Sequence, residues 1–227
     1  MTMNSPSETP KLPRYVPLVL IVSGPAGAGK TSLVNCLLAS SDGFVRAITC
    51  TCRPPRKGEI NGVDYHFLSP EEFQKRLADG DFLEHARVYG FDYGMPKQNI
   101  TSALEQQADL AINIDVQGAA TIRRRASELP LKSLGYEGAG DSTLADILVT
   151  VFLMPVAIID LQNRLKKRGT DSETTIQARL TAVSQEMQRW QEYDYVIVSG
   201  VLSDDLRKLQ NIIAAERMRT GRLKALV

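Results

Sequence analysis

The sequence predicts an α/β fold with a mainly parallel sheet, and three observations carry the prediction. Short apolar, β-branched runs recur at 18–23, 45–49, 82–89, 110–115, 147–153 and 195–198. Helical periodicity fills most of the intervals, over 30–39, 98–107, 117–128, 156–167, 172–192 and 203–219. Between the first strand and the first helix stands a glycine loop, Gly24-Pro25-Ala26-Gly27-Ala28-Gly29-Lys30-Thr31. Strands alternating with helices imply parallel neighbours whose crossovers cover both faces of the sheet.

Residues 1–16 open the chain; Met1 to Arg14 are polar and proline-containing, without the apolar centre of a signal peptide. They are expected to form a disordered tail, with the folded domain over 17–222. Pro17–Ser23 has the continuous apolar character of a strand buried on both faces. The loop that follows fits G-x-x-x-x-G-K-[ST], and Leu33, Val34, Leu37 and Leu38 recur behind it at helical spacing. Strand, glycine loop and helix form the context in which that motif binds a nucleoside triphosphate. Glycines let the backbone wrap a polyphosphate with its N–H groups inward, aided by the helix N-terminus. Lys30 is then expected to reach the β and γ phosphates, with the Thr31 hydroxyl on Mg²⁺.

Two stretches break the rhythm. Residues 50–95 carry Pro54-Pro55, Asn61-Gly62 and alternating Val63, Tyr65 and Phe67, and read as a hairpin-rich excursion with one helix. That helix starts at Ser69-Pro70-Glu71-Glu72, with Ser at the N-cap, Pro in the first position and an acid three residues on, and runs to about Asp79-Gly80. Residues 129–145 are rich in Gly and Ser without a clear period, and read as a mobile surface insertion.

Composition narrows the function classes. With 227 residues and 43% hydrophobic content, the chain can bury a sizeable core. A net charge of +1 argues against a general nucleic-acid or membrane-surface binder, and the longest apolar run is far short of a membrane span. Three cysteines (Cys36, Cys50, Cys52) suit a reducing cytoplasm, and with only His66 and His85 beside them they read as reduced structural thiols, not metal ligands.

A second binding site is expected in the block Arg53-Pro54-Pro55-Arg56-Lys57-Gly58-Glu59-Ile60-Asn61-Gly62-Val63-Asp64-Tyr65-His66-Phe67. Two arginines three apart on a proline-stiffened segment present guanidinium forks to a phosphate monoester at low entropic cost. Tyr65 adds a neutral donor. The alternative reading of this block by itself is a solvated basic turn.

With these residues in view, the chain resembles the guanylate kinases, a family of P-loop nucleoside monophosphate kinases. The resemblance includes the phosphate loop, the arginine–N-G-x-D-Y block, Asp81-Phe82-Leu83-Glu84-His85-Ala86, Tyr93-Gly94 and Ile114-Asp115-Val116-Gln117-Gly118. It extends through Arg164-Leu-Lys-Lys-Arg168-Gly-Thr-Asp-Ser-Glu173 to Glu192-Tyr193-Asp194-Tyr195-Val196-Ile197-Val198, and omits 129–145. It implies a P-loop NTPase-type core, an acceptor-binding lobe near 50–95 and a helical lid near 157–192. The implied reaction is Mg-dependent transfer of the ATP γ-phosphoryl group to GMP or dGMP. Thr49, Arg53, Arg56, Tyr65, Glu84 and Tyr93 are implied to hold GMP, with Glu84 reading guanine. A carboxylate suits that role, because guanine offers N1–H and N2–H₂ as adjacent donors whereas adenine presents an acceptor at N1. Arg164 and Arg168 resemble lid arginines over the ATP phosphates, and Arg179 resembles one bridging donor and acceptor phosphates. Asp115, at the carboxyl end of a parallel strand, faces the ligand crevice. The run Arg123-Arg124-Arg125 reads as solvated helix surface.

Five positions depart from the family pattern. Met95 stands where Ser or Thr helps read guanine O6, Thr49 where a serine contacts the base, Asn113 where aspartate is common, and Ser199-Gly200 where Asn-Asp lies near adenine. The phosphate machinery is intact, so the departures bear on base selectivity. Two other functions stay open: a kinase of the same build for another phosphorylated acceptor, such as a sugar phosphate, and a non-catalytic interaction module.

Overall fold

The computed structural model describes residues 13–88, 90–137, 140–156 and 183–225. In chain order its strands are β1 (Pro13–Tyr15), β2 (Val19–Ser23), β3 (Phe44–Arg46), β4 (Thr49–Thr51), β5 (Tyr65–Phe67), β6 (Phe82–Val88), β7 (Phe91–Pro96), β8 (Asp109–Asn113), β9 (Leu148–Pro155), β10 (Tyr195–Ser199) and β11 (Leu223–Ala225). The helices are α1 (Lys30–Ser40), α2 (Pro70–Ala78), α3 (Gln98–Glu105), α4 (Val116–Ala126), α5 (Leu144–Ile147) and α6 (Leu202–Arg217), with a helical turn over 183–187 before α6.

The alternation of β2 organises the core. Val19 and Ile21 join one apolar cluster, whereas Leu20 and Val22 join the other beside Leu18. A strand buried on both faces needs parallel neighbours, because their crossovers carry helices onto both sides. The main sheet has the order β10-β9-β2-β8-β3 and is parallel throughout. Leu33, Val34 and Leu37 of α1 and Leu209 and Ile213 of α6 cover one face. Ile100, Ala103 and Leu104 of α3 and Ala119, Ile122 and Ala126 of α4 cover the other. The second sheet, β5-β4-β7-β6, is the small lobe, and its own centre is the stack of Phe73 on Phe82 at 4.7 Å beside Cys50. The predicted start of α2 is present as a capping box: Ser69 accepts from Glu72 N and the Glu72 carboxylate accepts from Ser69 N.

Four expectations give way. The run 45–49 is not one strand; it spans the end of β3 in the main sheet and the start of β4 in the small one, so the chain changes sheets there. The segment around Asn61-Gly62 does not close a hairpin, because β4 and β5 are parallel. Asn61 Oδ1 instead accepts from Phe67 N at 3.0 Å and turns the chain back alongside, while the antiparallel hairpin of the lobe is β6–β7. The tail reading of 1–16 fails at its end: β1 pairs with β11, and Val16 is buried. Asp109 anchors this corner, accepting from Leu18 N at 2.7 Å, from the Tyr15 hydroxyl and from Arg217.

The fourth correction concerns 129–145, which is not a mobile surface loop. Leu131 and Leu134 of a 3₁₀ turn and Leu144 and Ile147 of α5 are buried in the main core. Pro130 and Thr143 form an antiparallel bridge, with Leu131 N donating to Ser142 O and Leu144 N to Leu129 O, both at 2.9 Å. The loop closes on itself and delivers its apolar residues one turn at a time, which leaves no regular period to read. The expected helices 156–167 and 172–192 lie largely outside the described residues.

Candidate active site

One open cleft brings the phosphate loop and the small lobe together. On the donor side, Ala26, Gly27, Gly29, Lys30 and Thr31 line it, with Ser32 beyond them. Gly24, Pro25 and Ala28 shape the loop without lining the cleft. At Gly24, φ is 141° and an added Cβ would stand 2.5 Å from Leu153 O, so only glycine passes this crossing of β9. Gly29 at φ 99° turns directly into α1, whose first N–H groups have no intrahelical acceptor. Lys30 Nζ donates to Gly24 O at 2.7 Å and to Pro25 O at 3.0 Å, holding the loop in its curve. Asn113 Nδ2 donates to Thr31 Oγ1 at 2.9 Å. Asp115 caps α4 by accepting from Gln117 N at 2.8 Å and Gly118 N at 3.1 Å, and it lines the same cleft. Thr31, Asn113 and Asp115 therefore offer the hard oxygen atoms that Mg²⁺ takes. Among the described residues no group of three His, Cys, Asp or Glu could hold a metal alone, so the set fits an ion that arrives on a polyphosphate.

On the acceptor side each strand of the lobe contributes. Thr49 comes from β4, Tyr65 from β5, Glu84 from β6 and Tyr93 from β7, and Arg56 reaches in from the β4–β5 connection. The two arginines of the expected clamp behave differently. Arg56 faces the cleft, whereas Arg53 is buried beneath it. Both Glu59 carboxylate oxygens accept from Arg53 Nη2 at 2.9 Å, Nη1 donates to Pro54 O, and Nε donates to the Tyr93 hydroxyl at 3.1 Å. Its guanidinium also lies over the Tyr65 and Phe67 rings at 5.4 and 5.8 Å. Tyr93 accepts this bond, which leaves its own O–H free to donate to a ligand. Glu59 additionally accepts from Arg56 N at 2.7 Å and so governs both arginines.

Glu84 is the most unusual group in the cleft. It is 3% exposed, and its Oε2 is buried without a hydrogen-bond partner among the described residues. Burial and the nearby Asp115 carboxylate push its pKa up to about 8, against a single bond from Met95 N–H that favours the ionised form. A buried acceptor left unpaired is costly, and this one belongs to a residue that lines the cleft. Met95, paired with Glu84 across β6–β7, has its own side chain fully buried in the core and outside the cleft lining.

Sequence reasoning missed three supports. Glu59 is visible in hindsight as an acid three residues after Arg56. Glu186, on the turn over 183–187, accepts from Ala26 N–H of the phosphate loop in the field of Lys30, and burial pushes its pKa above the ordinary carboxyl range. The run Arg123-Arg124-Arg125 is not simply solvated: Arg125 donates to Leu83 O and Arg123 pairs with Glu192 at 3.2 Å while lying over the Tyr193 ring. Arg164, Arg168 and Arg179 lie outside the described residues.

Known proteins resemble the chain in sequence and in fold. The family model described as "Guanylate kinase" matches residues 17–131 and 143–216, and the gap falls inside the closed loop. A guanylate kinase of Clostridium perfringens (strain 13 / Type A) is 34% identical over 91% of this chain and 87% of its own length. One from Maricaulis maris is 38% identical over 89% of this chain and 84% of its own. The crystal structure of guanylate kinase from Anaplasma phagocytophilum superposes with a TM-score of 0.71 at 28% identity, covering 93% of this chain and 92% of that one. Sequence match and shared architecture together place the chain in the guanylate kinase family.

Proposed function

We infer that the protein transfers the γ-phosphoryl group of ATP to GMP, or dGMP, giving ADP and GDP. The observation that carries this reading is the single cleft with a phosphate loop on one wall and the unpaired, buried Glu84 oxygen on the other. Guanine brings N1–H and N2–H₂ to that acid, and the ionised form accepts both. An adenine turned to the same wall would set its N1 acceptor against the carboxylate, leaving buried groups unpaired. The surrounding donors are the Tyr65 and Tyr93 hydroxyls and Arg56, which suit the 5′-phosphate, with Arg53 orienting Tyr93 from below.

In the transfer, an oxygen of the GMP phosphate attacks the γ-phosphorus as the bond to the β–γ bridging oxygen breaks, with ADP leaving. A phosphate oxygen is already a competent nucleophile, so the protein's contribution is positioning and charge neutralisation. The N–H groups of Gly29, Lys30 and Thr31 and the Lys30 ammonium hold the donor phosphates. Mg²⁺ would neutralise the polyphosphate when bound, with Thr31, Asn113 and Asp115 as the residues to hold it or its water shell. Arg164, Arg168 and Arg179 are assigned to the phosphates by their resemblance to the family's lid arginines. The cytoplasm, where both nucleotides are available, is the proposed location; no helix among the described residues is long and apolar enough to cross a membrane.

The test is ADP release across GMP, dGMP, AMP, UMP and sugar phosphates, for the protein and for Glu84→Gln. Turnover should be strongest with GMP and dGMP, and Glu84→Gln should lower kcat/KM for GMP by about 10²-fold or more, as for a buried polar group left mismatched. Stronger turnover with a sugar phosphate, or no loss in the variant, overturns the assignment.

A further inference from the structure

Glu84 reads a base only if its carboxyl is kept at the back of the pocket, and α4 forms that back wall. Gly118 sits in the first turn of α4, where its backbone is ordinary helix and glycine has no conformational advantage. Alanine is the far better helix former at such a site. The reason for glycine is therefore space. A Cβ on residue 118 would stand 3.0 Å from Glu84 Oε2, and 2.6 and 2.7 Å from Cδ1 and Cγ1 of Ile114. The first of these atoms is the buried oxygen that has no partner among the described residues. Arg125, two turns along the same helix, donates to the carbonyl of Leu83, the residue before Glu84. Helix α4 thus holds the β6 main chain at Leu83 and leaves a gap for the side chain that follows.

We propose that Gly118 is a specificity-positioning residue: its missing side chain is the seat that holds Glu84 Oε2 in register with the donor edge of guanine. The inference rests on the reading of Glu84 as the base-reading acid. Gly118 itself touches neither nucleotide. A methyl group there displaces the carboxyl toward the cleft, while Asp115 keeps its cap on α4, because alanine retains the N–H at 118.

The experiment is a double-mutant cycle of Gly118→Ala with Glu84→Gln, measuring KM and kcat for GMP, AMP and ATP, with thermal melting as a check on folding. Gly118→Ala is expected to raise KM for GMP by about 10- to 100-fold, to change kcat less, to leave KM for ATP within about twofold, and to narrow the preference for GMP over AMP. In the Glu84→Gln background the same substitution should add little further loss. Equal losses in both backgrounds mean that Gly118 serves helix packing alone and overturn the proposal, as does an unchanged KM for GMP in the single variant. If Glu84→Gln itself leaves GMP turnover intact, it is the reading of Glu84 that falls. Should Gly118→Ala not fold, Ile114→Ala/Gly118→Ala removes the nearer clash and is compared with Ile114→Ala; the GMP defect should persist, and its disappearance counts against the seat.

Discussion

The phosphate-loop wall of the cleft is drawn mainly from one short stretch, Ala26 to Ser32, with its strand before and its helix after, joined by Asn113 and Asp115. The acceptor wall takes Thr49, Tyr65, Glu84 and Tyr93 from four different strands, Arg56 from a turn, and its backing from α4. The first kind of site is rigid because its chain path allows little else: Gly24 crosses Leu153 where no side chain fits, and Lys30 bonds back to the loop it belongs to. The second is only as exact as the packing of the lobe, and it uses two acids, the half-buried Glu59 and the buried Glu84, for alignment. A local site should therefore fail through loss of its own groups, and an assembled one through changes in residues that never touch the ligand.

The largest effect is expected on the donor wall. Lys30→Ala should lower kcat by about 10³-fold or more, in the range for removing a charged group aimed at the transferred phosphoryl. Steady-state ADP release at saturating GMP measures it, and near-normal turnover would mean that the loop is not the donor site.

Next comes pH, read at the acceptor wall through Glu84. Glu84 is held protonated up to about 8, and the proposed contact with guanine needs the ionised form. The raised value means that the ionised form is lost as pH falls below that point. kcat/KM for GMP should rise with pH by close to tenfold per unit below pH 7 and level off above 8. Glu84→Gln supplies the baseline that removes titration of the GMP phosphate itself. The sign for stability is opposite. Between the ordinary carboxyl range and about 8 the folded chain keeps a proton that the unfolded chain has released, so stability should fall as pH climbs through that window. Glu84→Gln should flatten this decline in thermal melting; an equal slope in both proteins breaks the comparison.

A smaller change is expected from a residue at one remove. Glu59→Gln weakens the bidentate hold on Arg53 and hence the orientation of Tyr93, and KM for GMP should increase roughly tenfold while KM for ATP is unmoved. A matching rise for ATP would show that the lobe is not an independent wall. Least effect on turnover is expected in the closed loop: Leu134→Ala should cost about 2–5 kcal/mol of stability through the cavity it leaves, with both KM values unchanged. Unaltered melting would restore the surface-loop reading of 129–145.

Legibility in the sequence followed the same division. The loop at 24–31 could be read residue by residue because strand, glycines and helix are contiguous, and the α2 cap at Ser69 could be read for the same reason. The cleft residues of the small lobe were named through family motifs, but which of them face the cleft was not. Nothing in the chain order of Arg53 and Arg56 says that one faces the cleft and the other lies under Tyr93. The parallel pairing of β4 with β5 was equally hidden, since a turn motif specifies a local bend and not the partner of the next strand. In 129–145, Leu131, Leu134, Leu144 and Ile147 were each visible as apolar, but burial came from a bridge between Pro130 and Thr143, which periodicity does not encode.

Amino-acid order alone determined the parallel α/β core, the phosphate loop with its lysine and hydroxyl, and the chemistry of each acceptor residue, because those features depend on neighbours within one or two turns of chain. Only the folded molecule decided that Glu84 is buried, that Glu59 governs both arginines, and that a bare Cα on α4 stands behind the Glu84 carboxyl. Burial and close contact are properties of residues far apart in sequence, and they appear only when the strands and helices that carry them have packed.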